Sequence, residues 1–434
     1  MIHAPRRLAA PRLAASRLAA SRLGVHRRRL LQGLAAAALP WSFPAFAADP
    51  IKIGFSVSLT GGLASSGKAH VLTKQIFVEE LNAKGGLLGR PVQLVYYDDQ
   101  TNAATVPGIY AKLLDVDKVD LLMGAATNLI VAAMPQIIER KKLVMVLLAL
   151  AINDSFNYPR YFHSASFGPD AKSDVSKGFF EVAKTIAPAP KTIALVGADA
   201  EFSQNALTGA RANAKKYGFN VVYDRVYPPA TVDFAPIVRA VQATSPDLVF
   251  VASYPVDSVG MVRAATELGL KAQLFGGGMV GMQYAVFMQQ LSEKLNRVVN
   301  YHLYIPNEKM KFPGIDEFLQ KYQARAKDAG VDPLGFYQPP FAYAALQVLA
   351  QAVTATGSLD DDKLAQYIHA SEFKTIVGDI RFDAKGEWAK SRFLLVQFQG
   401  VQGNGLDQYL TGHKQVVVYP PEYKDGDLEQ PFAK

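Results

Sequence analysis

The segment Gly62-Leu-Ala-Ser-Ser-Gly67-Lys68 has the spacing of a phosphate-binding loop. In such a loop, backbone N–H groups and the lysine bind nucleotide phosphates, and a following Ser or Thr holds Mg²⁺. Here the next residue is Ala69, which has no hydroxyl for the metal. We therefore expect no nucleotide at this position. N–H groups at the start of a helix could still bind a carboxylate or another polar group.

A second glycine-rich motif, Gly276-Gly-Gly278-Met-Val-Gly281, matches the G-x-G-x-x-G pattern of dinucleotide-binding folds. In those folds an acidic residue stands about twenty positions later, at the end of a second strand. Asn300 and Tyr301 occupy that place here. We therefore expect these glycines to permit a close approach of the backbone to a ligand or a hinge, and the sequence predicts no cofactor.

The sequence offers no recognisable catalytic constellation. The five His residues that follow residue 47 are scattered and form no H-E-x-x-H or similar metal-binding motif. The chain has no Cys and no G-x-S-x-G motif. Asp98-Asp99 could form an acid–base pair, but their place before Thr101-Asn102 is more typical of a turn and helix cap. We expect no catalytic residue and no metal.

An alternation of strands and helices is the predicted frame for these motifs. Residues 51–59 and 91–97 have the pattern of strands on either side of a helix that ends at Asn82-Ala-Lys-Gly-Gly86. This β-α-β unit implies a parallel sheet, in which ligands bind at the carboxyl ends of the strands. The same order of helix, glycine and strand resumes after Phe167-Gly-Pro-Asp170. We predict an α/β protein with two doubly wound, Rossmann-like lobes.

The first 47 residues have the pattern of an export signal. They contain eight Arg and no Lys, Asp or Glu, then an apolar run at 33–39 and Ala45-Phe-Ala47, which fits a cleavage site. Arg27-Arg28-x-Leu30-Leu31 resembles a twin-arginine signal, and an ordinary secretory signal is the alternative. Of 46 Lys and Arg residues, 38 remain after this segment to balance 38 acidic residues. That balance gives no basic footprint for nucleic acid.

Several segments, in order along the chain, together resemble the branched-chain amino-acid type of periplasmic solute-binding protein, the receptor of an ABC importer. The segments are Ile51-Lys-Ile-Gly54, Leu59-Thr-Gly61, Asn82-Ala-Lys-Gly-Gly-Leu-Leu-Gly-Arg90, Tyr97-Asp-Asp-Gln100, Lys118-Val-Asp120, Asp233-Phe234, Glu267-Leu-Gly-Leu-Lys271 and Phe382-Asp-Ala-Lys-Gly386. The resemblance implies a binding protein without enzymatic activity that closes on a small molecule and docks on a membrane permease. We expect it to act as a monomer.

The resemblance also implies how the chain is divided and where the ligand lies. One lobe would comprise 49–166 and 301–378, the other 167–300 and 379–434, with the ligand in the cleft between them. The residues that fall on contact positions of the family, or that we expect beside them, are Ser65, Ser66, Thr127, Asn128, Ala149, Ala151, Phe202, Tyr254, Gly278 and Tyr337. Ala126, beside Thr127, belongs to the same implied carboxylate-binding loop.

Three of these positions depart from the amino-acid binders of the family. Ala151 replaces a Thr that is usual there, and Phe202 replaces a common Tyr. Gly278 falls where an acidic residue pairs with the ligand α-ammonium, and no carboxylate stands between Lys271 and Glu293. An unpaired buried ammonium costs several kcal/mol or more. We therefore predict an apolar or aromatic ligand with a carboxylate or amide and no α-amino group.

Other hypotheses stay open at this point. Asp199 or Glu201 could replace the missing carboxylate, in which case the ligand would be a branched-chain amino acid proper. The same cleft would also serve a sensory protein that acts on a membrane receptor. An exported enzyme with a Rossmann-like fold is a further alternative, although the sequence offers it no nucleophile, metal cluster or intact cofactor loop.

Overall fold

The computed structural model describes residues 49–124 and 127–433. The predicted export signal and Ala126 lie outside the described residues. None of the helices in these two ranges combines the length and the apolar character needed to cross a bilayer.

Strands β1 to β5 form a five-stranded parallel sheet with the order β2-β1-β3-β4-β5. Their bounds are Ile51–Val57, Val92–Asp98, Leu121–Met123, Val144–Val146 and Tyr161–His163. In β1, β3, β4 and β5 nearly every residue is buried. Continuous burial is what a parallel sheet covered by helices on both faces requires, and apolar clusters lie on either side.

A seven-stranded sheet follows, with the order β14-β13-β10-β9-β8-β6-β7, and a separate hairpin pairs β11 with β12. The bounds of β6 to β14 are Thr192–Ala198, Asn220–Tyr227, Leu248–Ser253, Leu274–Met279, Val299–His302, Glu372–Thr375, Gly378–Arg381, Leu394–Phe398 and Gln415–Tyr419. Strands β6 to β10 are parallel, whereas β13 runs antiparallel to both β10 and β14. The two sheets, the first parallel and the second mixed, make with their helices the type I periplasmic binding protein fold, and the predicted α/β class is confirmed.

Within residues 49–124 and 127–433, twelve α-helices connect and cover these strands. The bounds of α1 to α12 are Ala64–Ala83, Val106–Asp115, Met134–Glu139, Asn153–Phe156, Ala171–Ala183, Glu201–Tyr217, Ala235–Ala243, Pro255–Glu267, Ala285–Leu291, Ile315–Ala329, Pro339–Thr356 and Asp361–Ala370. Helices α1, α6 and α8 each begin directly after a parallel strand, so their first turns lie at the carboxyl edges of the sheets.

Neither glycine motif forms a nucleotide loop. Helix α1 begins at Ala64, so Gly67 lies within the helix, where a Cβ would be 1.8 Å from the carbonyl oxygen of Ser58. Gly276 lies in β9 with φ +122°, and a Cβ there would be 2.0 Å from the carbonyl oxygen of Val299. Both glycines therefore serve a close approach of backbone to backbone.

The segment after the hairpin packs on the five-stranded sheet. The N–H of His163, the last residue of β5, donates to the carbonyl of Gly386 over 2.8 Å. A Cβ on Gly386 would lie 1.8 Å from the carbonyl oxygen of Tyr161. The chain next joins the seven-stranded sheet at Leu394, the first residue of β13. The second segment of the predicted second lobe, 379–434, thus includes a stretch that contacts the first sheet.

Candidate functional site

A cavity of about 470 Å³ lies where the carboxyl ends of strands from both sheets meet. Its walls come from the starts of α1, α6 and α8, from the loops after β3, β4 and β9, and from the residues ahead of α11. The lining residues are Leu63, Ser66, Ala103, Thr127, Asn128, Leu129, Val131, Ala132, Leu148, Phe167, Glu201, Phe202, Tyr254, Pro255, Val280, Tyr284, Tyr301, Tyr337 and Gln338. The volume and the mostly apolar, aromatic walls suit a small organic molecule.

The structure brings six of the ten predicted contact residues to this cavity. They are Ser66, Thr127, Asn128, Phe202, Tyr254 and Tyr337. Ser65 lines a neighbouring pocket of about 280 Å³, which shares Leu63, Ser66, Pro255 and Tyr284 with the first. The predicted site therefore continues into a second chamber on the far side of Tyr284.

The remaining three predicted residues do not line the cavity. The N–H of Ala149 donates to His163 Nε2 over 3.2 Å, so it is occupied inside the fold. Ala151 is buried and has a left-handed backbone with φ +56°. Gly278 lies in β9, where a Cβ would be 3.1 Å from the ring of Phe250. Leu148 supplies the wall that was expected from the Ala149–Ala151 stretch.

Four side chains form a hydrogen-bonded group at the α1 end of the cavity. Ser66 Oγ donates to Gln338 Oε1 over 2.5 Å, and His70 Nε2 lies 2.7 Å from the same oxygen. The amide nitrogen of Gln338 donates to the hydroxyl of Tyr284 over 3.1 Å. Because both lone pairs of the Gln338 oxygen are used, its remaining N–H is the group available to a ligand.

The opposite wall carries Thr127, Asn128 and Glu201. Thr127 caps a 3₁₀ helix at Asn128–Ala133, its hydroxyl oxygen accepting from the N–H of Leu129 over 3.3 Å. Asn128 Oδ1 accepts from the N–H of Leu150 over 3.2 Å, so its Nδ2 protons face away from that contact. Desolvation raises the pKa of the Glu201 carboxyl, and a hydrogen bond from Asn128 opposes this shift.

The tyrosines of the cavity are neutral hydroxyl groups. Burial raises the pKa of Tyr254, Tyr284, Tyr301 and Tyr337 above the usual value near 10. The N–H of Phe202 donates to the Tyr254 hydroxyl over 3.2 Å, which leaves the Tyr254 proton free to donate. The hydroxyls of Tyr301 and Tyr337 bond each other, and one proton of that pair stays available.

The cavity therefore presents several free hydrogen-bond donors. Protons remain on the amides of Asn128 and Gln338 and on the hydroxyls of Thr127 and Tyr254. The one ionisable acceptor on the walls is Glu201, and no Lys or Arg of the described chain lines the cavity. A bound molecule would satisfy these donors best if it carried several acceptor atoms on an apolar or aromatic body.

The contact residues that the sequence analysis did not single out are mainly Phe167, Tyr284 and Gln338. Phe167 stacks on Phe393, with 4.8 Å between ring centroids, at the point where the chain passes between the sheets. Across residues 49–124 and 127–433, no group of three or more His, Asp or Glu side chains could hold a metal ion.

Two open α/β sheets whose strand ends face one cavity define a substrate-binding protein of the periplasmic type. The chain belongs to the periplasmic binding protein family, whose sequence profile matches residues 50–405. The Leu/Ile/Val-binding protein of Citrobacter freundii is 25% identical over 365 residues, which cover 83% of this chain and 93% of that protein. The resemblance found in the sequence is thereby confirmed.

Two solved structures show the same fold. An ABC transporter substrate-binding protein from Sphaerobacter thermophilus has a TM-score of 0.73 at 21% identity, covering 87% of this chain and 99% of that chain. A solute-binding protein of an ABC transporter from R. palustris, in complex with 4-hydroxybenzoate, has a TM-score of 0.70 at 20% identity. That match covers 82% of this chain and 94% of the other.

Proposed function

We propose that the protein is the substrate-binding component of an ABC importer of the branched-chain amino-acid type, and that it captures a small aromatic carboxylate or amide without an α-amino group. The observation that carries the proposal is the set of free hydrogen-bond donors on aromatic walls. An α-ammonium would add further donors to a cavity whose one ionisable acceptor is Glu201. A carboxylate supplies acceptors for Thr127, Asn128 and Gln338. The protein performs no chemistry on its ligand.

Capture by closure follows from the two-lobe arrangement that we propose, with 49–166 and 301–378 in one lobe and 167–300 and 379–434 in the other. A ligand that contacts Asn128 on one side and Phe202 on the other binds more tightly when the lobes are closed. The ligand shifts the population toward that state by its difference in affinity. The closed protein would then dock, as a monomer, on the membrane permease of the importer.

Export across the inner membrane is part of this proposal. Family members are periplasmic proteins, and the Arg-rich, then apolar, then Ala45-Phe-Ala47 pattern supports cleavage near Ala47. No nucleic acid, metal or cofactor takes part in the proposed function.

A thermal-shift screen tests the ligand class. We expect benzoate, 4-hydroxybenzoate or 3,4-dihydroxybenzoate to raise the unfolding temperature, because a ligand at 100 times its Kd adds about 2.7 kcal/mol to the free energy of unfolding. Leucine, isoleucine and valine are expected to leave it unchanged. Stabilisation by leucine or valine, with none by the aromatic acids, would reject the proposed class.

The carboxylate of Glu201 favours a second candidate, a branched-chain amino acid. In that case Glu201 would take the place of the acidic residue missing at Gly278 and pair with the α-ammonium. The Leu/Ile/Val-binding protein of Citrobacter freundii binds such ligands by its name.

The variant Glu201→Gln separates the two candidates. For an aromatic carboxylate, we expect affinity within about tenfold of the original or higher, because Gln still accepts a hydrogen bond and a like-charge repulsion is lost. For an amino acid, the unpaired ammonium would cost roughly 100-fold or more. Isothermal titration of the original protein and of Glu201→Gln, each with 4-hydroxybenzoate and with leucine, measures the change in affinity. Gln204→Ala, an exposed change in the same helix, is the control.

A further inference from the structure

Lys74 is a buried lysine that ligand binding, as described so far, does not use. It lies in the middle of α1 with 2% of its surface exposed. Its Nζ stands 4.4 Å from the centroid of the Phe55 ring and 3.4 Å from His70 Nδ1. No Lys74 ion pair with a carboxylate occurs among the described residues. Burial lowers its pKa to about 7. Burying a lysine in this way lowers the stability of the folded protein, which suggests that Lys74 has a functional role.

His70 connects this lysine to the cavity wall. It precedes Lys74 by four residues, so the two side chains share one face of α1. Desolvation holds the His70 pKa well below 6.5, and the ring therefore carries a single proton. Below about pH 7 Lys74 is an ammonium, which has only donors, so it requires His70 Nδ1 to accept. The ring proton is then on Nε2, which donates to Gln338 Oε1 over 2.7 Å.

Which atoms donate in this chain of hydrogen bonds determines how the side-chain amide of Gln338 is oriented. With Nε2–H of His70 and the hydroxyl of Ser66 both aimed at Oε1, the NH₂ group points toward Tyr284 and the cavity. If the proton of His70 moved to Nδ1, the bare Nε2 would accept from the amide instead. The amide would then turn over and present its carbonyl to the ligand.

We propose that Lys74 and His70 are positioning residues that hold Gln338 with its N–H, and not its carbonyl, toward the ligand. They thereby select ligands that bring an acceptor to this wall. The chain Lys74–His70–Gln338 is a specificity device placed behind the cavity, with no contact between the lysine and the ligand. Its effect on selectivity rests on the proposed function, whereas the proton position on His70 does not.

The first test measures that proton position directly. In protein labelled with ¹⁵N-histidine and measured at pH 6, where Lys74 is protonated, we expect the His70 ring to be in the Nε2–H form. Its signal is assigned through the variant His70→Asn. In Lys74→Met the Nδ1–H form should appear as a substantial fraction, because the ammonium no longer excludes it. Thr73→Val is the matched control, since the buried Thr73 hydroxyl bonds only its own helix at Ala69.

The second test measures selectivity. Benzoate has only acceptors, whereas benzamide also carries an N–H₂ donor that the turned-over amide would accept. We expect Lys74→Met to lower the ratio of benzoate to benzamide affinity about tenfold, and Thr73→Val to leave it unchanged. In a Gln338→Leu background the same Lys74 change should have little effect on the ratio, because the group it orients is gone.

Three results would overturn the proposal. The first is a His70 ring in the Nδ1–H form in the original protein. The second is a His70 ring that stays in the Nε2–H form in Lys74→Met. The third is a Lys74→Met change in the benzoate-to-benzamide affinity ratio that is equally large in the original and the Gln338→Leu background. If the ring proton shifts as expected but neither benzoate nor benzamide binds, the positioning role is supported and the proposed ligand class is rejected.

Discussion

Replacing Gly67 by alanine is expected to destabilise the protein by about 3 kcal/mol or more and to abolish ligand binding. A Cβ at this position would lie 1.8 Å from the carbonyl oxygen of Ser58 and 2.6 Å from its carbonyl carbon. Both atoms belong to the backbone at the end of β1, where Ser58 Oγ is also bonded to Asp99 Oδ1 over 2.5 Å. The first turn of α1 must therefore move away from the sheet and carry Ser66 out of the cavity.

Gly62→Ala is the matched control for Gly67→Ala. No atom lies within 4 Å of a Cβ built on Gly62, and we expect its unfolding free energy to stay within about 0.5 kcal/mol of the original. Urea unfolding and ligand titration of both variants measure the contrast. Equal losses in the two variants would contradict the packing explanation and favour a loop in which both glycines contact a ligand.

The two glycines illustrate what the sequence could and could not predict about a motif. Their spacing suggested a phosphate loop, and only the missing hydroxyl at Ala69 argued against it. The distance between Gly67 and Ser58 depends on how α1 packs on β1, which no local pattern contains. The long elements were predictable because buried strands and helix-ending glycines leave strong local patterns. The strands predicted at 51–59 and 91–97 are observed as β1, Ile51–Val57, and β2, Val92–Asp98, and Gly218 ends α6 with φ +79°.

Strand β10 was not predicted, because its sequence contains polar residues although all four of its residues are buried. Asn300 is 1% exposed and its side-chain amide bonds both the N–H and the carbonyl of Met279 on the neighbouring strand. Such a residue is satisfied only by a strand that is distant in sequence. A pattern of apolar residues alone therefore cannot identify the strand.

The family resemblance pointed to residues that follow strands, and of these Asn128, Phe202 and Tyr254 line the cavity. Gln338 and Tyr284 gave no such signal. Gln338 reaches Ser66 across 272 positions of the chain, and its role depends on His70 and Tyr284 as well. Contacts of this kind are set by tertiary packing, which a single sequence does not display.

Replacing Lys74 by methionine is expected to stabilise the protein by a few kcal/mol at pH 6, even though it weakens ligand selection. Methionine has a similar length and fills the same space without a charge. In the native protein the fully buried ammonium is desolvated and has no carboxylate partner among the described residues. Its removal takes away that penalty, which is about 1.4 kcal/mol for each unit by which the pKa is lowered.

The sign of the pH dependence follows from the lowered pKa of Lys74. Between about pH 7 and 10.5 the unfolded chain binds a proton at this lysine that the folded chain has released. The stability of the original protein therefore rises with pH across this window, relative to Lys74→Met. The advantage of the variant should be largest below pH 7 and should vanish as the pH approaches 10.5.

Urea unfolding of both proteins at pH 6 and pH 10 tests this expectation. A variant that is less stable than the original at pH 6 would mean that the lysine has a compensating partner and is part of the fold's stability. A more stable variant with altered selectivity would be the mark of a functional residue, because positions kept for binding are commonly unfavourable for stability. The role of Lys74 would then be to orient the hydrogen bonds of His70 and Gln338, although its buried charge lowers the stability of the fold.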